Sequence, residues 1–247
     1  MQSMSSDLLL LLAEKKLNFQ SIRQVMEKFT LSDRKVIWST LERQVKRGNL
    51  KKTQSEKGII FSITSTGKAD LPKDPIVIPR PDKAWDRRWR MVIFDIPESR
   101  RKARDIFSKT TRELGFGRLQ NSIYVTPHDS LNKVRKIATE LKIVDLIKMM
   151  IVDDIGIKDI KQCVEKMWQL NQLNQRYGQF IKETKVKQTK IIENGDVLKF
   201  WLLKTRLQYL TILHDDPILP KELLPEYWNG YEAEETWKQL SSILKTY

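Results

Sequence analysis

Four prolines fall within ten residues of this chain: Pro72, Pro75, Pro79 and Pro81. Each lacks a backbone donor and biases the residue before it toward an extended conformation. PKDPIVIPRP therefore predicts a semi-rigid extended linker, drawn here over residues 72–84. No continuous helix or central strand can pass through it, so residues 1–71 form one domain and the residues beyond the linker form others. The 247 residues are 40% hydrophobic and 31% charged. That suffices for two or three small domains and excludes a collagenous or wholly disordered chain.

Residues 1–71 predict three helices and a hairpin. Asp7 to Lys15 and Gln20 to Lys28 are short and amphipathic. Ser32 is expected to cap a third helix, with Asp33 in its first turn. That helix runs to about Arg47 and stops at Gly48. Ile37, Leu41 and Val45 form its buried stripe. Arg34, Lys35, Trp38, Ser39, Glu42 and Arg43 lie away from it. Leu50 to Thr53, a polar turn ending at Gly58 and Ile59 to Ile63 predict a hairpin with Lys51, Lys52 and Lys57 on it. Three helices followed by a two-stranded wing is the order of a winged helix-turn-helix. In that fold the third helix enters the major groove and the wing lies along the backbone. Arg34, Lys35, Trp38, Ser39 and Arg43 are the expected groove residues, and Lys51, Lys52 and Lys57 the phosphate contacts. Trp38, read as a surface residue, is expected to meet a thymine methyl or a sugar. The same pattern also serves as a protein-interaction module.

Beyond the linker, Trp89 to Pro97 (WRMVIFDIP) predicts a buried strand. A basic helix comes next, from Arg100 to Leu114, with Ile106, Thr110 and Leu114 on one side and Gly115 at its end. Ser122 to Thr126 is a second strand, which Leu119 and Gln120 either begin or precede as a separate one. Leu131 to Leu141 is a helix and Leu146 to Asp153 a strand. The βαββαβ order over residues 85–156 predicts a ferredoxin-like domain. Residues 157–247 read as helical: a long polar helix from Lys158 to Lys182, a charged loop over 184–195, a strongly apolar helix from Asp196 to His214, and a last helix from about Tyr231. The predicted fold class is α+β.

The net charge is +14, and residues 1–80 hold half of it with 15 basic and 8 acidic side chains. A basic N-terminal domain points to a polyanion, most often nucleic acid. One cysteine, Cys163, excludes an internal disulfide and fits a reducing, cytoplasmic setting. The longest aliphatic run, Leu8 to Leu12, is far short of a membrane span, and nothing basic precedes it as in a secretory signal.

Catalytic patterns are sparse. There is no Gly-rich phosphate loop, no Ser/His/Asp signature, and His128 and His214 stand in no motif. Asp95, at the end of the first central strand, offers one carboxylate. A hard cation needs several oxygens, and only Glu98 lies nearby in sequence. The expectation is a protein without enzymatic activity, without a cofactor and without a metal.

Two stretches carry a resemblance. They are WDRRWRMVIFDIPESRRKARDIFSKTTRELGFGRLQNSIYVTP, Trp85 to Pro127, and DDPILPKELLPEYWNGYEA, Asp215 to Ala233. Behind a winged helix, both resemble the PaaX family of bacterial transcriptional repressors, named for control of phenylacetic acid degradation. Arg87 stands where relatives usually carry Gly, and Gln44 where they tend to be apolar. The chain is shorter than the best-known members, mainly toward the C-terminus.

The resemblance implies a repressor that binds a palindromic operator. It implies that residues 85–156, similar to the small CRISPR adaptation endonucleases, form a homodimer, and, as the alternative reading, that Asp95 stands where those nucleases carry the aspartate taken as their metal ligand, making it the candidate Mg²⁺ ligand of a nuclease. It implies that residues 157–247 sense an aryl-CoA thioester that releases the DNA. For such an acyl-CoA effector, Trp201, Tyr209, Trp228 and Trp237 offer aromatic surface, and Arg100, Arg101 and Arg104 could meet its phosphates.

Overall fold

A computed structural model describes residues 4–13, 15–29, 33–56, 58–71, 84–188 and 195–244. Residues 72–83, nearly all of the expected linker, lie outside the described residues, as do Ser32 and Lys57. The fold is α+β, with two antiparallel sheets among helices. The chain divides into two compact units. The first comprises residues 1–75, 180–211 and 233–247, and the second residues 76–179 and 212–232.

The first unit opens with α1 (Met4–Leu11), the two-residue strand β1 (Leu17–Asn18), α2 (Phe19–Phe29) and α3 (Arg34–Lys46). The hairpin β2 (Leu50–Ser55) and β3 (Gly58–Ile63) and the short α4 (Ser65–Ala69) come after them. β1 adds to the free side of β3, giving the order β1-β3-β2. Two residues carry no periodicity, so this strand is invisible to a pattern reading.

The second unit contains β4 (Trp89–Phe94), α5 (Arg101–Glu113), β5 (Gly117–Gln120), β6 (Ile123–Thr126), α6 (Leu131–Glu140), β7 (Ile147–Val152) and α7 (Ile160–Trp168). Its sheet is antiparallel throughout, in the order β5-β6-β4-β7. β4 reads as a near-continuous apolar run because both of its faces are covered. Val92 and Phe94 join Phe107, Tyr124, Val134 and Ala138 beneath α5 and α6. Trp89 and Met91, on the other face, join Val125, Val164, Leu170, Leu219 and Leu223. On α5 the buried positions are Phe107 and Thr111, while Ile106 is 51% exposed, one step round from the expected face. The sheet supplies the deciding partner, because Phe94 sets its ring edge-on to Phe107 at 5.3 Å.

The last helices are α8 (Leu170–Gln188), α9 (Gly195–Asp215) and α10 (Gly230–Leu244). The expected single helix over 158–182 is broken at Gln169, which takes φ +52° and closes α7. The break lets Trp168 and Leu170 both enter the second unit's core. The region expected as one helical segment over 157–247 is shared between the units. α9 is apolar nearly all round because Val197, Phe200, Trp201, Leu202 and Leu207 complete the first unit's core with Leu8, Leu12, Ile22, Ile37 and Phe61. Asp7 of α1 is buried there with the Lys204 ammonium 2.6 Å from its Oδ2. Lys15 and Asp196 pair as well.

Candidate nucleic-acid interface

α3 is capped by Asp33; Ser32, the expected cap, lies outside the described residues. The Asp33 carboxylate accepts the backbone N–H groups of Lys35 and Val36, both at 3.0 Å. A carboxylate at this position also faces the positive end of the helix dipole, where a serine hydroxyl would bring no charge. The helix closes at Arg47, after which Gly48 takes φ +78°. Ile37, Thr40, Leu41 and Gln44 are its buried side, so polar Gln44 occupies a core position. It is satisfied there: Asn49 Nδ2 donates to Gln44 Oε1 at 2.9 Å and to Asp70 Oδ2 at 2.8 Å. This ties the end of α3 to the start of β2 and to the end of α4. Gly67 sits against the Asn49 carbonyl so closely that a Cβ would lie 2.1 Å from the oxygen.

The exposed positions of α3 are Arg34, Lys35, Val36, Ser39, Arg43 and Lys46. At 100° per residue, Lys35, Val36, Ser39, Arg43 and Lys46 form one face, and Arg34 stands at its far edge over the Phe19 ring, 5.8 Å from the centroid. Lys46 extends the basic face one turn beyond the residues expected from sequence; carrying the helical wheel to the end of α3 finds it. Trp38 is not a surface residue. It is half-buried, edge-on to Phe19 at 4.8 Å and to Phe61 at 5.9 Å. An indole at that angle of the helix meets β3 and the start of α2 before it meets solvent.

Strand alternation separates the two wing lysines. Lys52 is paired across the hairpin with buried Phe61, so it leans toward α3. Its ammonium lies 4.8 Å from the Trp38 ring centroid and 2.5 Å from Glu42 Oε1. Lys51, opposite Ser62, points to the other face and is exposed. Lys57, at the turn, lies outside the described residues.

The remaining candidates fall elsewhere. Arg100 donates to the Lys142 carbonyl at 2.8 Å. Arg101 and Arg104 pair with Glu98, Arg104 more closely at 3.0 Å. Part of this cluster's charge is thus met locally. Trp201 and Tyr209 are core residues of the first unit, Tyr209 stacked on Trp237 with ring centroids 5.7 Å apart. Trp228 belongs to the second unit, edge-on to Tyr177 at 5.7 Å. Neither unit by itself unites the arginines with Trp201 and Tyr209. Asp95 is exposed just past β4, its N–H bonded to the Leu146 carbonyl. Among the described residues no three His, Cys, Asp or Glu side chains gather as a metal site, and no helix is long and apolar enough to cross a membrane. Cys163 is half-buried on α7.

The stretches Trp85 to Pro127 and, up to Glu232, Asp215 to Ala233 meet within the second unit. Arg90, on β4, is buried and grips Asp86 through both terminal nitrogens at 2.7 Å. The guanidinium holds the Asp86 carboxyl down to about 2. Next to it, His128 Nε2 donates to the Pro217 carbonyl at 2.8 Å, and burial lowers the imidazole's pKa. Buried Asp216 accepts from the Tyr177 hydroxyl at 2.8 Å and from the Ile218 N–H at 2.7 Å. Asn174 donates to the Tyr227 carbonyl and accepts from the Asn229 N–H. The Pro-rich stretch is therefore a scaffold held by α8 and by the end of β6.

Residues 82–164 match the PaaX protein central Cas2-like domain, and residues 168–247 match the PaaX-like protein C-terminal domain. The transcriptional repressor PaaX of Escherichia coli (strain K12) is 25% identical over 190 residues, 73% of this chain. The match spans only 57% of that repressor's length. The fold is similar to that of uncharacterized protein Rv0674 from Mycobacterium tuberculosis. The TM-score is 0.51 over 96% of this chain and 94% of that one, at 15% identity.

Proposed function

The chain belongs to the PaaX family through its central and C-terminal domains, and from that premise we propose that it is a transcriptional repressor binding an operator in double-stranded DNA. The observation that carries this reading is the face of α3. Lys35, Ser39, Arg43 and Lys46 stand exposed on one capped helix, with Lys51 on the neighbouring wing. Arginine can grip a guanine edge with two donors, and lysines neutralise phosphates. We read the first unit as a winged helix-turn-helix in which β1 completes the small sheet. Arg34 at the helix edge belongs to the same basic surface.

The same proposal treats residues 85–156 as a ferredoxin-like dimerisation domain. The strand order β5-β6-β4-β7 supports it. So does the edge strand β7, which among the described residues pairs only with β4 and carries Met150 and Ile151, 38% and 52% exposed. A two-fold dimer fits a palindromic operator with half-sites a helical turn, ~34–36 Å, or a multiple apart. Sedimentation at micromolar concentration should give twice the chain mass. Release of the operator by an acyl-CoA-type effector is the regulatory part of the proposal, resting on the match of the C-terminal domain. Titrating acyl-CoAs against a preformed complex tests it, since only a ligand with different affinities for the bound and free forms shifts the equilibrium.

The decisive experiment is footprinting of the full chain on the promoter of its own transcription unit, followed by salt titrations of two variants. Lys51→Ala should weaken every duplex alike and reduce the slope of log K against log salt by about one. Lys52→Ala should leave the slope unchanged, because that ammonium already pairs with Glu42 and Trp38. Equal slopes for wild type and Lys51→Ala would remove the wing from the interface.

A further inference from the structure

Val36 is 45% exposed on a helix whose other solvent-facing side chains are cationic or hydroxylic. It stands in the first turn, and the Asp33 carboxylate fixes its backbone N–H at 3.0 Å. A β-branched residue in a helix keeps essentially one rotamer, so its two methyls are held in place before any partner arrives. The neighbouring hydroxyls are engaged by the helix's own backbone. Ser39 Oγ donates to the Val36 carbonyl at 3.1 Å, and Thr40 Oγ1 donates to the same oxygen at 2.8 Å. The apolar group offered between Lys35 and Ser39 is therefore the valine. Trp38, the other apolar residue expected on this face, is engaged with Phe19, Phe61 and Lys52.

We infer that Val36 reads the 5-methyl group of a thymine in the major groove. In B-DNA only thymine presents a methyl there, and an apolar side chain is its natural partner. Helical spacing adds a register. Val36 and Arg43 are seven residues apart on one stripe, about 10 Å along the helix axis. The thymine therefore sits within a few base pairs of the base that Arg43 contacts. The inference rests on the reading of α3 as the groove helix.

The test uses the full chain and duplexes selected from a random library by that chain. Each thymine of the selected site is replaced in turn by deoxyuridine, which removes only the methyl. For the wild-type protein one position per half-site should lose about four-fold in affinity, the worth of one methyl taken out of water. Val36→Ser should bind the thymine duplex about as weakly as wild type binds the deoxyuridine duplex. It should be indifferent to the replacement at that position alone. Melting of Val36→Ser within a degree or two of wild type verifies the fold, since the side chain buries little. If wild type and Val36→Ser respond identically to deoxyuridine at every position, Val36 reads no methyl, while DNA binding stands. If no sequence is enriched at all, the groove reading of α3 falls and this inference with it.

Discussion

The Asp7–Lys204 pair is an asymmetric ion pair, and its two halves should not cost the same. Asp7 is 3% exposed in its side chain, whereas Lys204 keeps 30%. Asp7 Oδ1 is buried without a hydrogen-bond partner, while Oδ2 accepts from the Lys204 ammonium. Lys204→Met keeps the aliphatic stem and removes the charge, which strands a carboxylate in the core of the first unit. Breaking a fully buried pair costs about 3–5 kcal/mol. Water reaches the exposed end of residue 204, so about 2–3 kcal/mol is expected here. Asp7→Leu leaves an ammonium that can turn to solvent and should cost about 1 kcal/mol or less. The double variant Asp7→Leu/Lys204→Met should return to within about 1 kcal/mol of wild type, since an apolar pair fills the same space without desolvating charge. Urea unfolding reads this directly. With a slope of about 1–3 kcal/mol per molar, Lys204→Met should lower the midpoint by about 1 M without changing the slope. A midpoint unchanged in Lys204→Met, or a double variant as damaged as Lys204→Met, would refute the assignment of a buried, uncompensated charge.

Two more perturbations probe the second unit. A Cβ on Gly117 would lie 2.7 Å from the Trp168 ring. Gly117→Ala should therefore destabilise by about 1–3 kcal/mol, read as a loss in urea midpoint, with a much smaller loss in Gly117→Ala/Trp168→Leu. His128 is held neutral by burial, with Arg90 and Lys133 nearby adding to the effect. Its folded pKa lies below the unfolded value of about 6.5. The stabilisation is complete above that value and is lost as pH falls through the folded pKa. The melting temperature should drop between about pH 7 and pH 5, and His128→Gln, which can still donate to the Pro217 carbonyl, should flatten that drop.

Which elements exist is legible in the sequence wherever a pattern is long. The stripe of α3, the hairpin and the βαββαβ order all come from periodicity and turn residues. Local choices decided by a distant partner are not legible. Phe107 against Ile106 on α5 and the break at Gln169 each depend on what the next element offers. Trp38 is the sharpest case. An amphipathic wheel leaves it outside the buried stripe, yet Phe19 and Phe61, from two other elements, enclose it. The candidate groove residues are partly legible because cations stay in water whatever packs beneath. Val36 is not, because an exposed valine on a helix carries no signal until its neighbours are placed.

Synthesis order gives the shared core an unusual consequence. The ribosome delivers α1 to α4 first, but Phe200, Trp201 and Leu240 belong to the same buried cluster as Leu8 and Phe61. Phe200 emerges about 130 residues after Ala69. At about 5–20 residues per second the nascent N-terminal segment waits on the order of ten seconds with its apolar side uncovered. A fragment ending before the prolines would remain in that state permanently, sticky where the full chain is dry. Shortening the C-terminus of this protein should therefore be felt first as poor yield of the part that is made first.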